Sequence, residues 1–224
     1  MLDNPAWHSL VGRHRHLSEG GERVRRYLPD VSPFAAVKDW DDPGVWGDIV
    51  ALAGHDADFP FTGRAVDLPP GWSLAAIGEG VQLVESAALE PRHDPELVRL
   101  GEADVPEMLA LVERTQPGPF LPRTYELGTY LGVRREGRLV AMAGERLQPE
   151  GWTEISAVCT DADYRGQGLA TRLVLAVAAG IHERGQRALL HAAATNENAI
   201  RLYLGIGFVL RRRTTFGVVH TPAP

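Results

Sequence analysis

The alternation of apolar and polar positions is sharpest in the second half of the chain. Thr129 to Arg134 and Arg138 to Arg146 alternate on either side of Glu136-Gly137, which predicts two strands joined by a turn. Trp152 to Thr160, Ala188 to Ala194 and Phe208 to Val219 are three further strands. Between them the apolar period becomes helical. Leu169 to Arg184 predicts a long helix closed by Gly185, and Asn196 to Leu204 a shorter one ending at Gly205. Ahead of the paired strands, Leu97 to Leu100 predicts a short strand. Met108, Leu109, Leu111 and Val112 then give one apolar face to a helix beginning at Ala103 or Asp104. Asp104 is a plausible N-cap there, with Glu107 completing a capping box. The order is β-α-β-β-β-α-β-α-β without internal repeat, an α/β (α+β) pattern.

The first 95 residues are patterned more weakly. Gly20-Gly21, Asp41-Asp42-Pro43-Gly44 and Pro69-Pro70-Gly71 punctuate them as turns. Ser32 to Val37 predicts a strand, Val45 to Ala53 a helix, and Trp72 to Val84 one or two strands. The polar, proline-bearing connector from Glu90 to Pro95 marks a boundary between an N-terminal domain, residues 1–95, and a second domain, residues 96–224.

Composition narrows the function classes. A chain of 224 residues can bury a substantial core. A formal charge of -6 argues against general binding to nucleic acid or anionic membrane. Cys159 is the only cysteine, which excludes an intrachain disulfide and a cysteine-based zinc cluster. The start, Met-Leu-Asp-Asn-Pro, lacks the pattern of a signal peptide. The longest apolar run, Leu173 to Ile181, is about half of a bilayer span. A cytoplasmic protein is expected. His14 and His16 have no acidic or thiol partner at metal-ligand spacing, so no metal site is expected.

The candidate chemistry is concentrated where a strand turns into the long helix. Arg165-Gly166-Gln167-Gly168-Leu169-Ala170 follows the strand ending at Thr160. Glycines let the backbone approach a ligand closely. The amides at a helix start are unpaired, and the helix dipole favours negative charge there. Together they form an anion site suited to a diphosphate, to which Arg165 adds a positive charge. The loop lacks Gly-Lys-Ser/Thr, which excludes a nucleoside-triphosphatase loop. It also lies too late in the chain, with Ala170 too close to Gly168, for a dinucleotide fingerprint.

This loop resembles the acetyl-CoA loop of the GCN5-related N-acetyltransferases, whose pattern Arg/Gln-x-x-Gly-x-Gly/Ala is met by Arg165, Gly168 and Ala170. The run from Asn196 through Ala199-Ile200 to Leu202-Tyr203, followed by Gly207-Phe208, resembles that family's next signature. The likeness covers roughly residues 97 to 219, and the glycine N-acyltransferase-like branch is most similar. It implies a mixed, splayed sheet flanked by helices. It also implies that residues 1–95 are a degenerate copy of the same fold. Acetyl-CoA would be the co-substrate. Val158, Thr160 and Asn196 would hold its pantetheine arm, and Arg165, Gly166, Gln167, Gly168, Leu169 and Ala170 its diphosphate. Ala162 departs from the family, many of whose members carry proline there.

Acyl transfer to an amine needs a group to accept the amine's proton and one to protonate the leaving thiolate. Tyr203 matches the family's general acid; otherwise it is a core tyrosine on an amphipathic helix. Two residues compete as base. His191 lies five residues before Asn196, where some members hold a glutamate, and has a suitable intrinsic pKa. Glu154 shares a strand face with Ser156, Val158 and Thr160 by strict alternation. Each is otherwise an ordinary sheet residue. Cys159 points away from that face, so direct transfer is expected rather than an acyl-enzyme. Arg211-Arg212-Arg213 reads mostly as a solvated edge. Pro117 to Tyr125, with Phe120 and Tyr125, is the expected acceptor wall. The expected activity is transfer of an acetyl or short acyl group to a primary amine of a small molecule or amino acid. The alternative is a non-catalytic acyl-CoA-binding module. Residues 1–95 could also serve as a dimerising half of a homodimer.

Overall fold

Strand propensity and helical period divide the chain into sixteen principal elements in the computed structural model, which describes residues 1–64 and 66–224. The N-terminal part contains α1 (Pro5–Val11), β1 (Ser18–Gly20), β2 (Val24–Tyr27), β3 (Ala35–Val37), α2 (Val45–Ala53), β4 (Asp58–Gly63) and β5 (Ser73–Glu85). There follow β6 (Val98–Leu100), α3 (Val105–Thr115), β7 (Tyr130–Arg135), β8 (Arg138–Glu145), β9 (Trp152–Thr160), α4 (Leu169–Glu183), β10 (Arg187–Ala193), α5 (Glu197–Gly205) and β11 (Phe208–His220). From β6 onward the element order is the one the apolar pattern predicts.

β1, β2 and β3 form a small antiparallel sheet. The other eight strands form one mixed sheet in the order β4-β11-β5-β10-β9-β8-β7-β6. Among the described residues its only parallel pair is β9 with β10. The apolar face of α4 buries Leu173, Val174, Val177 and Ile181 against Ala141, Ala143, Ile155 and Leu190 of the sheet. On the opposite face, Met108 and Leu111 of α3 meet Met142 and Cys159. α3 does not start with the expected capping box. The Asp104 carboxylate instead accepts from the Gly101 amide at 2.9 Å and from Arg134. Glu107 also turns to Arg134, and to the Leu139 amide.

The boundary expected at residue 95 does not separate two sheets. β5, which precedes it, lies in the middle of the large sheet and pairs with β10 on one side and β11 on the other. β4 adds the outermost strand on β11. The connector from Glu90 to Pro95 is bound along α4 rather than loose. Arg92 donates its amide to the Leu175 carbonyl, and Asp94 accepts from Arg172 at 2.6 Å. The cores are shared as well. Trp7, Leu10 and Tyr27 pack with Leu127 and Leu147, and Ile49, Phe59 and Phe61 pack with Val219 beside Trp40, Trp46 and Trp72.

His14 joins the two parts covertly. It is buried, with Nδ1 2.9 Å from the Tyr27 hydroxyl and Nε2 3.1 Å from the Leu127 carbonyl. A carbonyl can only accept, so Nε2 carries the hydrogen and Nδ1 accepts from the phenol. Burial pulls its pKa down to about 4. An unfolded chain therefore takes up a proton near pH 6.5 that the folded chain refuses until about pH 4. Stability should fall as pH drops through that window, by roughly 3 kcal/mol from this residue. Urea midpoints at pH 7 and pH 4.5 check this: the loss should shrink markedly in His14→Gln, and an equal loss in both proteins would refute it.

Candidate active site

β9 and β10 pair over four positions, from Arg187 opposite Trp152 to Leu190 opposite Ile155, and then part. The cause lies in β9. Its register against β8 slips so that Ala157 and Val158 together oppose the single Ala143. Ala157 adopts φ 51°, the left-handed region that a residue with a Cβ rarely enters. Such a bulge bends its strand and increases the local twist, which turns the end of β9 away from β10. It also reverses the alternation of side chains. Val158 joins Ile155 in the core under α4, while Cys159 packs with Met142 beneath α3. Strict alternation would put Glu154 on the face of Val158 and Thr160; the bulge places it on the other.

Two cavities fill the gap. The first, about 500 Å³, runs along Val158 and Thr160 to the loop before α4 and the start of α5. Gly166 and Gly168 take φ 77° and 73°, a conformation open to glycine at little cost. α4 then begins with no capping side chain and no acid in its first turn. Its leading amides are free for a ligand, with the dipole favouring an anion. Thr160 lines this cavity, with its hydroxyl buried and, among the described residues, without a partner. An uncapped helix start with glycines ahead of it suits a diphosphate. Val158, Thr160, Arg165, Gly166, Gly168, Leu169, Ala170, Asn196 and Tyr203 line the cavity, whereas Gln167 does not. The Asn196 carbonyl oxygen caps α5 by accepting from the Ala199 amide at 3.2 Å, leaving its amide nitrogen for a ligand.

The second cavity, about 470 Å³, shares Val158, Asn196 and Tyr203 with the first. Its far walls are Phe34, Pro117 to Pro119, Arg146, Ser156, His191 and Phe216. Gly80 makes room for the Phe216 ring, since a Cβ there would come within 2.2 Å of it. His191 Nδ1 lies 2.8 Å from Glu154 Oε1, and its Nε2 lies 3.0 Å from the side-chain nitrogen of Gln82. The Gln82 amide cannot be reversed. Its oxygen accepts from Arg211 at 2.8 Å, and its nitrogen donates to the Leu2 carbonyl at 2.8 Å. Nδ1 therefore carries the hydrogen, and the Nε2 lone pair accepts from Gln82. Glu154 is fully buried and outside the cavity, in a two-bond pair with Arg146 at 2.6 and 2.9 Å. Burial raises its pKa, but the Arg146 guanidinium and His191 prevail and hold the carboxyl well below its usual range.

Tyr203 stands where the cavities meet. Its ring packs edge-on against Phe208, and among the described residues nothing hydrogen-bonds its hydroxyl. Burial pushes its pKa up to about 12. The Cys159 thiol is pushed up to about 11, also by burial, so little thiolate forms at neutral pH.

A solved structure of a GNAT-family protein from Novosphingobium aromaticivorans is 38% identical to this chain. The likeness covers 100% of this chain and 99% of that one, with a TM-score of 0.89. This chain belongs to the GNAT family of acetyltransferases. A family model described as FR47-like protein matches residues 130–217 of this acetyltransferase, from β7 into β11. The fold is also shared with a GCN5-related N-acetyltransferase from Kribbella flavida, at 16% identity, TM-score 0.62, over 99% of this chain and 96% of that one. No curated protein matches the sequence.

In this GNAT protein several site residues carry no local signal. Phe34, Gln82, Arg146 and Phe216 come from four segments that only the tertiary fold brings together. Phe120 and Tyr125 are not in the acceptor-side wall, because Phe120 is buried against Tyr130 under α3. Arg211 and Arg212 pair with Asp3, and Arg213 with Glu79, tying β11 to the N-terminal segment. Among the described residues no cluster of three or more His, Cys, Asp or Glu side chains is arranged to hold a metal, and no helix is long and apolar enough to cross a membrane.

Proposed function

We propose that this GNAT acetyltransferase moves an acetyl or other short acyl group from acyl-coenzyme A directly to the primary amine of a small molecule or amino acid. The observation that carries this reading is the place of Tyr203, which lines both cavities where β9 and β10 part and whose hydroxyl has no partner among the described residues. A thioester held in the first and an amine held in the second meet beside it. Bound acyl-CoA supplies the activated acyl group. The amides of the loop before α4, the backbone of Val158 and Thr160 and the side chain of Asn196 would hold it.

The chain's own residues then position the reactants and move protons. Tyr203, with its pKa near 12, keeps its proton at neutral pH and can give it to the leaving sulfur. His191 is the histidine on the acceptor side. Its Nε2 lone pair is the group to take the amine's proton, which requires the Gln82 amide to yield. Glu154 fixes the tautomer from behind, as a carboxylate does in a triad. Cys159 also lines the first cavity, but burial holds its thiol protonated, which favours direct transfer over an acyl-enzyme. Within the family we place the chain nearest the glycine N-acyltransferase-like branch, supported by the first half that contributes Phe34 to the acceptor side.

Release of free coenzyme A thiol across a panel of primary amines tests the reading. Turnover is expected with at least one amine. His191→Gln should lower kcat/KM by about 10²–10⁴-fold, the usual contribution of a general base, with coenzyme A affinity unchanged in calorimetry. Tight binding without release from any amine would instead make the chain a binding module.

A further inference from the structure

Gln82 of β5 is buried in the large sheet, opposite His191 of β10 and Arg212 of β11. A buried amide costs free energy unless its oxygen and both of its hydrogens find partners. All three are met. The oxygen accepts from Arg211 Nη1 at 2.8 Å, and the nitrogen donates to the Leu2 carbonyl at 2.8 Å. The nitrogen's second hydrogen serves His191 Nε2, 3.0 Å away. Arg211 is fixed in turn, because its Nη2 donates to Asp3 at 2.8 Å. A guanidinium can only donate and a carbonyl can only accept. Turning the Gln82 amide over would therefore set donor against donor at Arg211 and acceptor against acceptor at Leu2. The sense of the amide is dictated by Leu2, Asp3 and Arg211, none of which lines either large cavity.

His191 receives two different instructions. Glu154 accepts the Nδ1 hydrogen at 2.8 Å and would accept it equally from an imidazolium. Gln82 discriminates, because the hydrogen it offers can be accepted only by an unprotonated Nε2. The other charged groups around the ring do not compete. Arg146, Arg211 and Arg212 carry no acceptor, and the Asp3 carboxylate is taken by Arg211 and Arg212. We infer that Gln82 is a positioning residue of the transfer reaction, which keeps the lone pair on His191 Nε2 until the incoming amine displaces its amide. Arg211 and the Leu2 carbonyl hold Gln82 in that sense. This rests on the acyl-transfer reading above, with His191 as the base, and adds the group that sets the state of that base.

Gln82→Glu is the deciding variant. It keeps the shape of the side chain and gains an ion-pair partner in Arg211, but its carboxylate has no hydrogen to give. Nε2 must then carry one, which holds His191 as an imidazolium between two carboxylates. For coenzyme A release, kcat/KM should fall by about 10²–10⁴-fold, as for a lost base. Gln82→Met, which imposes no hydrogen on Nε2, should lose less by about tenfold or more. A merely structural role predicts the reverse order, since Gln82→Glu is the closer replacement. In a His191→Gln background, adding Gln82→Glu should cost little more, because the two residues act as a unit. Nitrogen NMR of histidine-labelled protein at neutral pH reads the same point without turnover. His191 should show Nδ1–H with a bare Nε2 in the wild type, and hydrogen on both nitrogens in Gln82→Glu. Arg211→Met, which lets the amide turn, should show both forms. A bare Nε2 in Gln82→Glu would overturn the inference, as would a loss in Gln82→Met as large as that in Gln82→Glu. Failure of the acyl-transfer reading looks different: the wild type releases no thiol with any amine, whatever form His191 takes.

Discussion

A chain beginning at residue 96 is expected not to fold, although it contains both signature segments. The shortened chain would lack β5, the strand between β10 and β11. Leu83, fully buried in the main core, leaves with it, as does Val81. Phe59 and Phe61 of β4 leave as well, which uncovers Val219. Each such side chain contributes about 1.5–3 kcal/mol when fully buried, against a total stability of about 5–15 kcal/mol for a typical domain. The ladder hydrogen bonds of β10 and β11 to β5 are lost in addition, so the deficit exceeds what a small domain can absorb. Circular dichroism and size exclusion of residues 96–224 should report an unfolded or aggregated chain. Co-expression with residues 1–95 should recover soluble protein. A soluble fragment with a cooperative melt would show that the large sheet closes without β5.

The second large effect is chemical. Tyr203→Phe should reduce kcat by about 10²–10⁴-fold, the loss typical of a missing proton donor. Coenzyme A affinity should stay within about twofold, since the diphosphate is held by the loop before α4. Stability should hardly change, because the hydroxyl has no partner to lose and the ring can still pack on Phe208. The pH profile adds a check. Burial raises the phenol to about 12, so it remains a donor below that pH. Wild-type kcat should not decline from Tyr203 ionisation near pH 10, where an ordinary phenol titrates. An unchanged kcat in the variant would remove Tyr203 from the reaction.

The order of elements after residue 96 was legible because each carries a local mark. The long period of α4 with its closing Gly185, and the turn at Glu136-Gly137, need only neighbouring residues to be recognised. The glycine loop was legible for the same reason, as Gly166 and Gly168 adopt angles that explain their identity. The bulge was not, since Ala157 gives no composition signal that it will take a positive φ. That one residue overturns the face expected for Glu154. β4 was hidden by Pro60, which a sheet tolerates because β4 is an edge strand. α1 carries a start signal, Asn4 as N-cap ahead of Pro5, but at seven residues it is too short for a helical period to show. Arg146 and Gln82 gained their meaning from partners 8 and 109 residues away, and the spacing of one chain does not announce such pairs.

The central place of β5 also sets a timetable for synthesis. Glu85 waits for Ala188, whose amide it will accept from, across 103 residues of chain. At roughly 5–20 residues per second, that is about 5–20 s on the ribosome. For that interval a 13-residue strand has left the exit tunnel with neither neighbour yet made. The nascent protein must be shielded or stay dilute until β10 and β11 are translated, and β11, made after β10, completes the pairing of β5.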